Sequence, residues 1–191
     1  MKRRTSIKSI LALSLLGASS FSVYKWFYLH HDFDPAKLAS FKELIADLAD
    51  TIIPETDTPG AKQAGVAQFI INVISNCTPK VEQNKFIYGL RYVEEYTIKN
   101  YKKPFSQCNS TERFNILAYF EEQNTYSLKI LNKINNKMFG TTFFSKLKEL
   151  TVQGYCQSEL GATQGLNYDE VPVNYEPCIP LQLNQKSWAT K

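Results

Sequence analysis

The stretch DPAKLASFKELIADLADTIIP, residues 34–54, decides the fold class. Leu38, Phe41, Ile45, Leu48 and Ile52 recur at steps of three and four, with Lys37, Lys42, Glu43, Asp47 and Asp50 among them. That is the period of an α-helix with one apolar face; a half-buried strand would alternate at every second residue. Asp34 is a natural N-cap, Pro35 suits the first turn, where its missing N–H is not needed, and Pro54 stops the run. The spacing predicts a helix over residues 35–53.

Outward from there the pattern repeats. Residues 54–65 concentrate Pro, Gly, Asp and Thr and predict a turn-rich loop. Residues 66–77 resume a helical run through Phe69, Ile70, Val73 and Ile74, which Thr78-Pro79 ends while capping the next. Residues 79–101 predict a long amphipathic helix with Val81, Phe86, Leu90, Val93 and Ile98 on its apolar positions. Tyr88, Tyr92 and Tyr96 form a second stripe at the core edge. Ser110 or Thr111 caps a helix that turns Phe114, Leu117 and Phe120 inward. Further helices span about 125–138, closed by Gly140, and 143–156, carrying Phe144, Leu147, Leu150 and Val152.

No segment alternates with period two, so the expected class is all-α: a single compact domain of about six helices over residues 32–191. Its C-terminal tail is irregular, because Gly161, Gly165, Pro172, Pro177 and Pro180 break any long helix. With Tyr155, Tyr168, Tyr175 and Trp188, that tail suits a segment laid over a surface, its own or a partner's. A chain of 191 residues fits one such domain with a leader and leaves too little for two.

Residues 1–31 have the order of an export signal or N-terminal anchor: Lys2, Arg3, Arg4 and Lys8, then an apolar stretch over 10–18, then small residues at Ala18 and Ser20. Arg3 and Arg4 ahead of Ile7 and Lys8 resemble the twin-arginine type, with Ser6 where that pattern usually has Phe. The apolar core is short for a bilayer, which needs about 20 residues, although 21–29 would lengthen it into a tether if Lys25 were tolerated. Either way the expected location is periplasmic or extracytoplasmic. The twin-arginine route exports folded proteins, so a partner that travels with this chain is expected.

The net charge of +4 resides at the start of the leader: without the four cations before residue 20, 18 basic residues face 18 acidic ones. Nucleic-acid binding is excluded on this ground, because it needs a basic stripe within the domain.

The sequence carries little chemistry. His30 and His31 are the only histidines, sit at the leader–domain juncture, and supply too few ligands for a closed metal site. Cys77, Cys108, Cys156 and Cys178 show no zinc, haem or iron–sulfur spacing; in an oxidising compartment they are candidates for disulfides, with three pairings open, or for a bond to a partner. No glycine-rich nucleotide cradle is present. Glu94-Glu95 and Glu121-Glu122 are neighbours that point in different directions on a helix, which suits a solvated face rather than an acid–base pair. No catalytic residue, cofactor site or metal site is expected in this chain.

Three segments carry a resemblance. They are LADTIIPETDTPGA (48–61) followed by Gly65-Val66; FSKLKELT (144–151) with Gly154-Tyr155 and SELGAT (158–163); and Tyr168 with Val171-Pro172, Tyr175 and CIPL (178–181). In this order they resemble the gluconate 2-dehydrogenase subunit 3 family, the small subunits that accompany flavin-dependent dehydrogenases of the glucose-methanol-choline type. Residues 124–137 match only as a helix. The resemblance implies a non-catalytic subunit that assists folding, export or assembly of a large subunit. That large subunit would bind FAD and oxidise a sugar or sugar acid, and a cytochrome c subunit would pass electrons onward.

Loops on a rigid helical scaffold are where such a subunit would present contacts. The candidate partner interface is Asp57, Thr58, Pro59, Gly60, Tyr155, Ser158, Glu159, Gly161, Thr163 and Tyr168. The bland reading of the glycines among them is that they make turns and helix ends. Two other functions compete with the accessory subunit: an independent extracytoplasmic enzyme using an unpaired cysteine, and a membrane-tethered structural protein held by residues 10–29.

Overall fold

A computed structural model describes residues 32–123, 142–169, 171, 178, 180 and 183–189. The expected leader and the helix over 125–138 lie outside the described residues.

The fold is all-α. Asp34 caps α1 (Pro35–Ser40), its carboxylate accepting from the amides of Ala36 at 3.0 Å and Lys37 at 3.4 Å. The expected helix over 35–53 is two helices. At Phe41 (φ −88°, ψ 9°) the backbone leaves the helical path, and α2 (Lys42–Ile52) starts anew. The Phe41 amide bonds tightly back to the Leu38 carbonyl, and the Ser40 hydroxyl takes the Lys37 carbonyl. The apolar spacing runs through this break undisturbed, so periodicity alone does not register it.

After the loop 54–65, Gly65 takes a left-handed conformation (φ 69°) at the entrance to α3 (Val66–Cys77). The end of α3 is satisfied twice over. The Thr78 hydroxyl donates to the Val73 carbonyl, and the buried Gln83 amide donates to both Ile74 and Ser75 carbonyls. Gln83 belongs to α4 (Lys80–Tyr101), so the two helices are joined at their shared corner. A 3₁₀ turn (Phe105–Gln107) leads to α5 (Ser110–Gln123). Its cap is Asn109, not Ser110 or Thr111: the Asn109 side chain accepts from the Glu112 amide, and the Glu112 carboxylate accepts from the Asn109 amide.

The last helix, α6 (Phe143–Gln157), packs against α2, α3, α4 and α5 and is the hub of the core. Leu38, Ile45, Leu48, Ile70, Ile74, Leu90, Ile116 and Leu147 are wholly buried around it. Each such side chain contributes about 1.5–3 kcal/mol of transfer free energy.

Three expected core positions are exposed instead: Phe114 at 67%, Ile98 at 55% and Val152 at 46%. Their neighbours explain why. Thr97 and Thr151 are fully buried, and each turns its hydroxyl onto the carbonyl four residues back, Val93 at 2.7 Å and Leu147 at 2.8 Å. A threonine so satisfied presents only its methyl to the core, and the adjacent apolar residue rotates outward. In α5 the inward stripe is Ile116, Leu117 and Phe120, which leaves Phe114 on the opposite face. The tyrosine stripe does mark a core edge: Tyr96 stacks on Tyr119 at 4.2 Å and meets Phe120 edge-on, while Tyr88 and Tyr92 stay exposed.

Among the described residues there is no strand. Beyond α6 a π-turn (Gly161–Gly165) leads to a single parallel bridge between Asn167 and Trp188. The last described stretch of the tail is therefore paired with the tail's own beginning.

Candidate partner-docking face

The loop after α2 is built on a buried carboxylate. Asp47 is 6% exposed, and its Oδ1 accepts from Lys62 Nζ at 2.7 Å, while Arg113 Nη2 of α5 lies 3.8 Å from Oδ2. Arg113 is held by the Cys108 and Ser106 carbonyls at 3.0 and 2.8 Å and lies over the Phe105 ring at 5.3 Å. The Lys62 ammonium is held above its usual pKa of 10.5, chiefly by the Asp47 hydrogen bond. The Lys62 amide also donates to Asp50 Oδ1, and the Ala61 amide to the Ile53 carbonyl. Together these bonds pin the far end of the loop to α2 and α5. The sequence places Asp47 on the polar side of its helix, and its role was missed. Only residues 15 and 66 positions later reveal that it bridges two cations.

The near end of the loop meets the end of α6. The Tyr155 hydroxyl donates to the Pro59 carbonyl at 2.8 Å, so the two segments singled out in the sequence meet at this bond. On the α6 side, the Ser158 hydroxyl donates to the Tyr155 carbonyl at 2.7 Å and accepts from the Gly161 amide at 3.0 Å. The Thr163 hydroxyl donates to the Glu159 carbonyl.

The ten candidates thus divide. Tyr155, Ser158 and the buried Gly60 and Gly161 are joints that hold the face together, with Thr58 and Pro59 half-buried beside them. Asp57, Glu159, Thr163 and Tyr168 stand exposed and are the groups a partner could touch.

The expected disulfides are absent: Cys77, Cys108, Cys156 and Cys178 are all free thiols. They stand on separate elements, Cys77 at the end of α3, Cys108 behind the 3₁₀ turn, Cys156 near the end of α6 and Cys178 in the tail. Burial pushes the Cys108 thiol up, with the Glu112 carboxylate adding to it, which works against a thiolate nucleophile at that position. Among the described residues no group of three His, Cys, Asp or Glu side chains could hold a metal ion. Glu121 of the Glu121-Glu122 pair bonds Lys148 at the surface.

Residues 39–173 match the family described as Gluconate 2-dehydrogenase subunit 3. The chain belongs to this family. The matched region covers α2 to α6 and both halves of the candidate face, and it ends before the 183–189 segment. No curated protein and no solved structure matches the chain. As a gluconate 2-dehydrogenase subunit 3 family member, the chain falls among the subunits of an oxidoreductase complex. Among the described residues no helix is long and apolar enough to cross a membrane; the tether read over 10–29 lies outside them.

Proposed function

We propose that this chain is a non-catalytic small subunit of an exported, flavin-dependent sugar or sugar-acid dehydrogenase, one that assists folding, twin-arginine export or assembly of the FAD-bearing large subunit. The observation that carries the reading is the Tyr155–Pro59 bond within the family-matched region, which fuses two loop segments distant in sequence into one rigid face. Rigid loops with exposed polar and aromatic groups suit partner recognition, because little order has to be imposed on docking. In this reading Asp57, Glu159, Thr163 and Tyr168 contact the large subunit, Arg3 and Arg4 direct export, FAD resides in the large subunit, and a cytochrome c subunit accepts its electrons. The complex works outside the cytoplasm, where subunits of gluconate dehydrogenases typically function.

Co-production of the chain with a FAD-dependent large subunit from the same genome tests this. Arg3→Lys with Arg4→Lys should retain the flavoprotein in the cytoplasm, and Asp57→Lys with Glu159→Lys should abolish co-purification while the helical circular dichroism stays unchanged. Undiminished export of the flavoprotein beside the first variant, or undiminished co-purification with the second, would overturn the corresponding half of the proposal.

A further inference from the structure

The segment 186–189 is stapled to the π-turn and to Asn167 just beyond it by three hydrogen bonds. Lys186 Nζ donates to the Gln164 carbonyl at 2.7 Å. The Asn167 amide donates to the Ser187 carbonyl, and the Ala189 amide donates to the Asn167 carbonyl, both at 2.8 Å. Asn184, left-handed at φ 62°, makes the turn that leads into this segment.

The stapled residues flank the part of the π-turn that touches Tyr155. Gly165 lies against the phenol so closely that a Cβ there would stand 2.5 Å from the hydroxyl oxygen and 2.8 Å from Cε1. The amide of Leu166 closes the turn onto Gly161 at 2.9 Å. Tyr155 in turn holds Pro59, and the loop beyond it is fixed by the Thr56 amide on the Thr58 carbonyl and the Ala61 amide on the Ile53 carbonyl. An unbroken series of contacts runs from residues 186–189 through the π-turn and Tyr155 to residues 56–61.

We infer that residues 186–189 are a latch: closed on the π-turn, they seat Gly165 against Tyr155 and thereby fix the 56–61 loop, so that the C-terminus sets the order of the docking face. Surface hydrogen bonds of this kind open far more often than the core does, so the latch has an open state accessible under native conditions. Coupling of this sort is reciprocal: whatever orders the loop also favours the closed latch, by the same factor. The regulatory consequence rests on the docking reading above. The latch itself rests on the bonds named here and can be examined without any partner.

Amide hydrogen exchange on the full chain provides the test, comparing wild type with a deletion of 183–191, with Lys186→Ala, with Tyr155→Phe, and with the deletion combined with Tyr155→Phe. The deletion should speed exchange at Thr56 and Ala61 by about 2–10-fold, the range expected for losing one surface bond's worth of order, and Lys186→Ala should do so by less. Exchange at Ile70 and Ile74 in α3 should not change. In the Tyr155→Phe background the deletion should add nothing further at Ala61, because the relay is already cut. Unchanged Thr56 and Ala61 exchange on deletion, equal acceleration at Ile70 and Ile74, or independent addition of the two changes would each overturn the latch. No flavoprotein enters the measurement, so such a failure leaves the docking proposal standing, and failed co-purification leaves the latch standing.

Discussion

The hydroxyl of Tyr155 donates to the carbonyl of Pro59 at 2.8 Å, a bond spanning 96 positions in sequence. Tyr155 is 7% exposed, so its hydroxyl has little access to water if the loop moves away. Tyr155→Phe should cost about 1 kcal/mol in urea unfolding, the usual net worth of such a bond. It should also weaken docking more than it weakens stability, since the loop is what the bond holds.

The Asp47 bridge makes an asymmetric prediction. Removing Lys62 leaves a nearly buried carboxylate with only the more distant Arg113, 3.8 Å from Oδ2, whereas removing Asp47 frees an ammonium whose side chain is 49% exposed and readily hydrated. Lys62→Met should therefore destabilise by about 2–3 kcal/mol and Asp47→Ala by about 1–2 kcal/mol, less than the ~3–5 kcal/mol of a fully buried pair. The double variant should lose less than the sum, which chemical denaturation of the four proteins measures directly.

Gly89 on α4 is buried, and a Cβ there would run into Cβ, Cγ and Cδ2 of Phe143 at the start of α6. Alanine in a helix interior ordinarily gains about 1 kcal/mol over glycine, but overpacking of this kind costs about 1–3 kcal/mol or more. The clash wins, so Gly89→Ala should lower the melting temperature, and Phe143→Leu in the same chain should recover part of the loss.

Helix existence was legible because apolar residues at steps of three and four leave few alternatives, and α3, α4 and α6 begin and end within a residue of the expected spans 66–77, 79–101 and 143–156. What periodicity could not resolve were substitutions of kind within the pattern. Thr97 and Thr151 count as polar in any scale, yet a bond to the preceding turn makes them core residues and turns Ile98 and Val152 outward. The break at Phe41 was invisible for a related reason: a helix can be interrupted for one residue without changing which residues are apolar. The two halves of the candidate face were both found in the sequence, but their meeting depends on one phenol and one carbonyl, which no local pattern records. Asp47 was missed because a bridging carboxylate looks like any other until its partners are located.

Acid should loosen the start of α5. The Glu112 carboxyl is held below its usual value of 4.5 by the Lys103 hydrogen bond and the Asn109 amide. A depressed carboxyl stabilises the fold above 4.5, and that contribution disappears as pH falls through the lowered value. Glu112→Gln should flatten this part of the acid branch in urea titrations at successive pH values, while wild type and variant keep the same slope near neutrality.

Thiol labelling should proceed in three waves. Exposed Cys77 and Cys178 should react within the mixing time of a small aromatic disulfide reagent, half-buried Cys156 more slowly, and Cys108 only on unfolding. Four equivalents should be titrated in denaturant, and fewer would mean that a disulfide forms.

Trp188 sits on the segment that crosses the π-turn, 46% exposed, and it is the only tryptophan in residues 32–191, since Trp26 precedes them. In a chain beginning at residue 32, light absorbed selectively by indole would therefore report on the C-terminal edge and hardly at all on the helices. A denaturation curve followed by that emission should depart early from one followed by ellipticity. The gap would imitate a folding intermediate while recording nothing more than a peripheral segment coming loose.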